Sequence, residues 1–291
     1  MNTSKLGIFA GIAAIALTSC VKDTLYDARG NIDVTTRWDN ISTDAAVPAE
    51  YTMRLRCITT DEHFTGADLT TVVTGDRHSF PDNVIGIYRL AVYNTPDGVT
   101  LSGNRAAVDK ADGTGLTARP GVMFSSDYTE AIHVSPSATT AVTINMVQLM
   151  RSLNLVLNVV EGDYERIVAA TASIDGVYGA VDYIAHTADP ADRTCTTDEP
   201  LIQTDNTLST SFRLFALPSA DYAGMTLTVD ILFSNGETRV ITADISDMTN
   251  GFGNDVNPLT VTADLHLPVK GAAGGSIDGW IEADGGNIDA K

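Results

Sequence analysis

From Ile32 onward the chain alternates apolar and polar residues with a period of two, and threonine and valine recur along it. That period puts successive side chains on opposite faces of an extended strand, and β-branched residues suit a pleated, half-buried surface. Residues 51–58 predict one strand, with Cys57 closing the alternation Met53-Arg54-Leu55-Arg56-Cys57 as a buried thiol on the apolar face. Residues 86–93 predict another, with Tyr88, Leu90 and Val92 on one side and the turn formers Asn94, Pro96, Asp97 and Gly98 after it. Residues 132–134 and 141–146 follow, the latter with Val142, Ile144 and Met146 facing together. In the clearest case Leu153, Leu155, Leu157 and Val159 share a face against Asn154 and Asn158, until Glu161-Gly162-Asp163 stops the strand.

Residues 167–174 and 177–184 predict two strands joined by a tight hairpin at Asp175-Gly176, a dipeptide suited to the positive φ angles of a type I′ turn. Ser234-Asn235-Gly236-Glu237 predicts a second hairpin between residues 225–233 and 238–245. Residues 211–217 form a further strand, and Leu259, Val261, Ala263, Leu265 and Leu267 alternate with Thr260, Thr262, Asp264 and His266. No stretch keeps a 3.6-residue apolar stripe over a dozen positions, and residues 146–150 allow one helical turn at most. Short strands separated by turns predict an all-β fold of sandwich type. Residues 143–157 read as one long strand passing through a short link into the next sheet. That reading divides the chain into an N-terminal β-sandwich over 31–149 and a C-terminal β-sandwich over 150–269.

The tail, residues 270–291, carries six glycines and four acids. Within it Ile277 and Ile281 alternate with Asp278, Trp280 and Glu282, which predicts a late strand. Such a strand either closes the second sheet or acts as a strand-pairing segment, through Ile277, Trp280 and Ile281, that completes an edge in another subunit.

The first twenty residues bear on location. Lys5 precedes an apolar run from Leu6 to Leu17, and Leu17-Thr18-Ser19-Cys20 follows. The order is that of a secretory signal peptide, and the run is too short to span a bilayer comfortably. A cysteine after the small polar pair resembles the lipobox of bacterial lipoproteins. That resemblance implies loss of residues 1–19, lipid attachment at Cys20 and a tether over 20–30. Two or three acyl chains anchor durably where one binds only marginally. Lys22-Asp23 resembles the charged export signal of Bacteroidetes-type lipoproteins, which implies the outer face of the outer membrane.

Charge and motif content narrow the chemistry. The chain has 291 residues, 37 acidic against 18 basic, and a formal charge of −19, which argues against a nucleic-acid partner. At 44% hydrophobic it has ample material for a core. Cys57 on a strand and Cys195 in the polar loop 189–199 make a poor disulfide pair. There is no HExxH, P-loop or GxSxG motif. His63, His78, His133, His186 and His266 are scattered without partners at metal-ligand spacing and predict surface or edge positions. Asp189, Asp192, Asp198 and Glu199 crowd one loop that lacks the glycine of a calcium loop, so solvation is expected. Catalytic residues, metal ligands and cofactors are therefore all expected to be none. A hydrolase would need a clustered set of titratable groups.

Several separated segments carry a family likeness: Cys20-Val21-Lys22-Asp23-Thr24-Leu25-Tyr26, Ile32-Asp33-Val34-Thr35-Thr36-Arg37-Trp38, Tyr88-Arg89-Leu90-Ala91-Val92-Tyr93-Asn94, and Pro120-Gly121. Met146-Val147-Gln148-Leu149-Met150-Arg151-Ser152-Leu153-Asn154-Leu155 and Ile174-Asp175-Gly176-Val177-Tyr178-Gly179 complete the ordered set. Over residues 20–267 it resembles the FimB/Mfa2-type fimbrial lipoproteins and fimbrillin-like proteins of Bacteroidales.

The resemblance implies two tandem Greek-key, transthyretin-like β-sandwich domains on a lipid tether. It also implies a non-enzymatic anchor or accessory subunit of a cell-surface fimbria. Its partners would be other fimbrial subunits, met through β-strand pairing, the outer membrane through the acyl chains, and a host protein or glycan. In polymerising members an arginine-specific protease removes the first strand and opens a groove for a strand of the next subunit; Arg29, Arg37 and Arg54 stand near such a position. Base-anchoring members keep that strand, and Val34 and Trp38 would then fill their own sheet. The alternative is a surface glycan- or host-ligand-binding module on the same scaffold.

Overall fold

The computed structural model describes residues 28–59, 66–111, 115–162, 164–268 and 274–284. The signal peptide expected over 1–19, Cys20 and His63 lie outside the described residues. Strands β1 (Arg29–Arg37), β2 (Tyr51–Cys57), β3 (Leu69–Val73), β4 (Arg77–Val84) and β5 (Gly86–Tyr93) come first. Next are β6 (Val99–Ser102), β7 (Arg105–Val108), β8 (Phe124–Ser125), β9 (Ile132–Val134), β10 (Thr139–Asn145) and β11 (Val147–Gln148). The second half begins with β12 (Met150–Glu161), β13 (Ile167–Tyr178), β14 (Ala180–Asp182), β15 (Arg193–Cys195), β16 (Glu199–Pro200) and β17 (Ile202–Thr204). It ends with β18 (Thr207–Phe215), β19 (Thr226–Phe233), β20 (Thr238–Asp244), β21 (Leu259–His266) and β22 (Ser276–Asp284). Between strands the described residues hold only single 3-10 turns, as the lack of a helical stripe predicts.

The fold is all-β, with several sheets. Two sheets, β10-β1-β4 and β11-β8-β5-β2-β3 with β9 beside β5, enclose a core that includes Ile32, Met53, Leu55 and Leu90, all at 0% exposure. Two others, β17-β18-β12-β21-β22 and β15-β13-β19-β20 with β16 on β13, enclose a larger core around Leu157, Leu208, Phe212 and Val229. A fifth sheet, β14-β7-β6, joins strands from both halves of the chain. β5 sits where the cores meet: Tyr88, Leu90 and Val92 enter the smaller one and Ala91, on the opposite face, enters the larger. A strand covered on both faces loses the clean alternation of a half-solvated one.

The strands at 51–57, 86–93, 132–134 and 259–266 fall close to where alternation places them. Asp175-Gly176 does not make a hairpin. β13 runs through it unbroken, with a register shift between Asp175 and Val177 against β15. A type I′ turn needs two successive residues at positive φ, but here Gly176 alone has it (φ 83°), so the dipeptide supplies a bulge instead. The hairpin at Ser234–Glu237 does form between β19 and β20, again with only its glycine, Gly236, at positive φ.

Residues 146–150 are extended, not helical, and the polar loop 189–199 contains β15, which carries exposed Cys195 and pairs with β13. Cys57 is half-buried, not sealed, because it ends its strand. β4 contains Pro81, which reads against a strand, but the proline lies at a register shift opposite Gly30–Ile32 where its missing N–H is tolerated.

Candidate strand-pairing site

β1 is the middle strand of its sheet. It runs parallel to β10 from Asn31↔Thr139 to Arg37↔Asn145 and antiparallel to β4, so its backbone groups are paired along both edges. Alternation sends Ile32 (0% exposed), Val34 (1%) and Thr36 (3%) inward. Gly30 passes so close to the carbonyl of Ser135 and the side chain of Val134 that a Cβ there would collide with both. At the far end Trp38 donates its Nε1–H to Thr36 Oγ1 at 3.2 Å and packs edge-on against Tyr51 and Phe124, with centroids at 5.5 and 5.4 Å. Thr36 Oγ1 and the Tyr51 hydroxyl lie 3.0 Å apart, and Tyr51 donates to the Gly75 carbonyl at 2.5 Å. Burial raises the Tyr51 pKa, which keeps that hydroxyl a donor. Arg29 and Arg37, both exposed, mark the two ends of this strand, and Arg54 lies within β2.

β22 forms one edge of the sheet of the larger core, antiparallel to β21. The alternation expected here is interrupted. Thr262 faces Ile281 but Asp264 faces Asp278, so β22 carries one extra residue, and Gly279 (φ 62°) takes the left-handed conformation of the bulge. The bulge shifts the phase. Ile277 is buried, Trp280 packs partly against the core, and Ile281 is 66% exposed rather than sharing a face with Ile277. His266 on β21 fastens this edge: Nδ1 lies 3.0 Å from Glu161 Oε2 on β12 and Nε2 lies 3.1 Å from Asp278 Oδ1 on β22. Hydrogen bonds first to Glu161 and then to Asp278 raise its pKa. The three groups form a line with the imidazole between the acids, and do not converge on a common point.

One cluster has the atoms of a hydrolytic triad. His186 Nε2 is 2.8 Å from Ser125 Oγ, and His186 Nδ1 is 3.3 Å from Asp127 Oδ1. Ser125, however, is 0% exposed and its Oγ is also 2.5 Å from the Tyr183 carbonyl. A nucleophile needs a space about 3 Å away where a reacting carbonyl can sit, and here that space is filled by protein. The cluster holds the loop after β14 against β8. No sequence pattern marks it, because His186 lies 61 positions from Ser125 and only folding brings them together. Among the described residues no group of three or more His, Cys, Asp or Glu could hold a metal ion.

The junction where β11 passes into β12 ties the halves together. Gln148 is buried: its Oε1 accepts from the Ser42 N–H at 3.0 Å, and its Nε2 donates to the carbonyls of Met150 (2.6 Å) and Val256 (3.3 Å). Arg151, also buried, donates to the carbonyls of Asn257 and Phe252 and lies over the Phe252 ring at 5.2 Å.

No curated protein matches this chain. Among solved structures, a candidate adhesin from Bacteroides ovatus ATCC 8483 superposes with a TM-score of 0.59 at 14% identity, covering 90% of this chain and 95% of that one. The fimbrial anchor protein Mfa2 from Porphyromonas gingivalis gives a TM-score of 0.59 at 11% identity, covering 87% and 97%. At such identities the likeness concerns the fold. The sequence itself goes further, since residues 20–284 match the profile of the fimbrillin-A associated anchor proteins Mfa1 and Mfa2. The chain belongs to that family.

Proposed function

We propose that the chain is a non-enzymatic lipoprotein of the outer membrane that anchors, or serves as an accessory subunit of, a cell-surface fimbria. Acyl chains on Cys20 hold it at the membrane, exposed on the cell surface, and other fimbrial subunits meet it through β-strand pairing. In this reading the finer architecture is two tandem Greek-key, transthyretin-like sandwiches that divide near residues 149 and 150. The placement of β1 carries the proposal. Cleavage after Arg37 would strip Ile32, Val34 and Thr36 from the core and unpair β10 and β4 together, so the chain is built to keep its first strand. A subunit that keeps this strand offers no open groove there and suits the end of a fibre. The free edge of β22, with Ile281 outward and Ile277 and Trp280 holding the strand in place, is the pairing surface this reading assigns.

Mass spectrometry of the native mature protein tests the proposal. It should find a chain that begins at an acylated Cys20, and Cys20→Ala should release the protein from membranes. A mature chain beginning after Arg29 or Arg37, or a Cys20→Ala protein that stays membrane-bound, overturns it.

A further inference from the structure

A cleft of about 320 Å³ lies on the outer face of the sheet containing β12 and β18, where loops from the first half of the chain overhang it. Register fixes its floor. Asn154 faces Ser211 and Val156 faces Ser209, and since Leu155 and Phe212 point into the core, Asn154, Ser209 and Ser211 point out. Ser209 and Ser211 make no side-chain hydrogen bond to another described residue, and Asn154 uses only its amide N–H, toward Thr260 Oγ1 at 3.4 Å. At one end Asp44 accepts from Ser152 Oγ at 2.5 Å and sits 3.7 Å from Arg213. On the β18 side Arg119 pairs with Glu199 at 2.8 Å and donates to Thr210 Oγ1 at 3.0 Å. Ile202, 56% exposed, and Pro258 supply the apolar part of the lining.

We propose that this cleft binds an uncharged saccharide unit. The volume is of the order of small-molecule sites, which favour junctions between packed units. Both guanidiniums already face carboxylates, so the cleft has no surplus positive charge for a phosphate or carboxylate ligand. Its floor is a sheet face and not a free strand edge, so it has no row of backbone groups for an extended peptide. What remains for a ligand is the hydroxyls of Ser209 and Ser211 and the Asn154 carbonyl oxygen, since both oxygens of Asp44 already accept, from Ser42 and Ser152, and Arg213 also donates to the Pro120 carbonyl. Such a row of neutral donors and acceptors suits the hydroxyls of a pyranose, and Ile202 and Pro258 give its C–H face something to cover. The site is independent of how the chain is anchored, because none of these residues belongs to β1 or β22.

Saturation-transfer NMR on the full-length protein in a sugar-free zwitterionic detergent tests the assignment, with methyl glycosides of glucose, galactose, mannose and N-acetylglucosamine as probes and glucuronate as the anionic control. At least one neutral glycoside should bind with a Kd on the order of millimolar. Ser211→Trp, which fills the cleft from a solvent-facing strand position that tolerates aromatics, should weaken that binding about tenfold or more without lowering the Tm. If Ser211→Trp lowers the Tm, Asn154→Ala carries the comparison and should weaken binding in the same way. Absence of transfer to every neutral glycoside, transfer to glucuronate alone, or binding that survives the variant used for the comparison overturns the proposal. No fibre is needed, so failure here leaves the anchoring proposal untouched.

Discussion

His266 and His186 both face carboxylates, yet the structure shifts them in opposite directions. At His266 the hydrogen bonds to Glu161 and Asp278 favour the imidazolium, and its pKa rises above 6.5. A raised folded pKa gives a contribution fully present below about pH 6.5 and lost as pH climbs through the folded value. The amides of β22 should therefore exchange more slowly at pH 6 than at pH 9, after correction for intrinsic rates. His266→Gln should remove that difference, and an unchanged pH dependence in the variant would show that the imidazole does not hold the edge. At His186 burial outweighs the attraction of Asp127 and Asp182 and lowers the pKa. Its contribution is present above about pH 6.5 and is lost as pH falls toward the lowered value. His186 has φ 49°, so Asn is the replacement its backbone accepts. In urea unfolding, the stability of the wild type relative to His186→Asn should fall from pH 7 to pH 5, a difference in which the opposite trend of His266 cancels.

At the scale of an element, the bulge at Gly279 separates two isoleucines that alternation groups together. Ile277→Ala deletes packing against the core and should cost about 2 kcal/mol, at the low end for a buried isoleucine because β22 is an edge strand. Ile281→Lys should change stability by less than about 0.5 kcal/mol, since the side chain is already in solvent. Equal costs in urea titrations would mean the phase shift is wrong. This position shows where a sequence stops specifying a strand. β21 could be read from alternation because one face meets a core along its whole length. β6 and β7 could not, being four residues each, too short to establish a period, and β7 has alanines where larger apolar residues would mark a face. The bulges at Gly176 and Gly279 escaped for a related reason. A lone glycine fits a turn or a bulge equally well, and partner strands distant in sequence decide between them. The cleft on β12 and β18 was equally hidden, because Asp44 and Arg119 reach it only through the packing of the two halves.

On the scale of the whole molecule, the chain order and the cores do not divide at the same place. The larger core takes Val99, Ala106, Val108, Leu116, Ala118, Met123 and Leu149 from before residue 150. β7 pairs with β14 from Arg105↔Asp182 to Ala107↔Ala180, and Arg105 forms an ion pair with Asp192. Leu116 lies between neighbours of the second half: its N–H donates to the Cys195 carbonyl and its own carbonyl accepts from the Thr197 N–H, each at 2.9 Å. Ala118 accepts from the Arg213 N–H at 2.8 Å. Gln148 and Arg151 add buried hydrogen bonds at the link. A fragment of residues 150–284 would carry every strand of the two sheets around the larger core, yet would expose the apolar surface that these residues cover. Apolar burial is the main favourable term in folding, and net stabilities are only about 5–15 kcal/mol, so losing that cover weighs heavily against a fixed fold. The intact chain should unfold in urea as one cooperative transition, because the halves share a core. The fragment should bind a hydrophobic dye and lose its far-ultraviolet signal gradually, as a chain with strands but without fixed packing does. A sharp transition in the fragment would instead mean that the larger core stands without residues 99–123, which are then an addition to its surface.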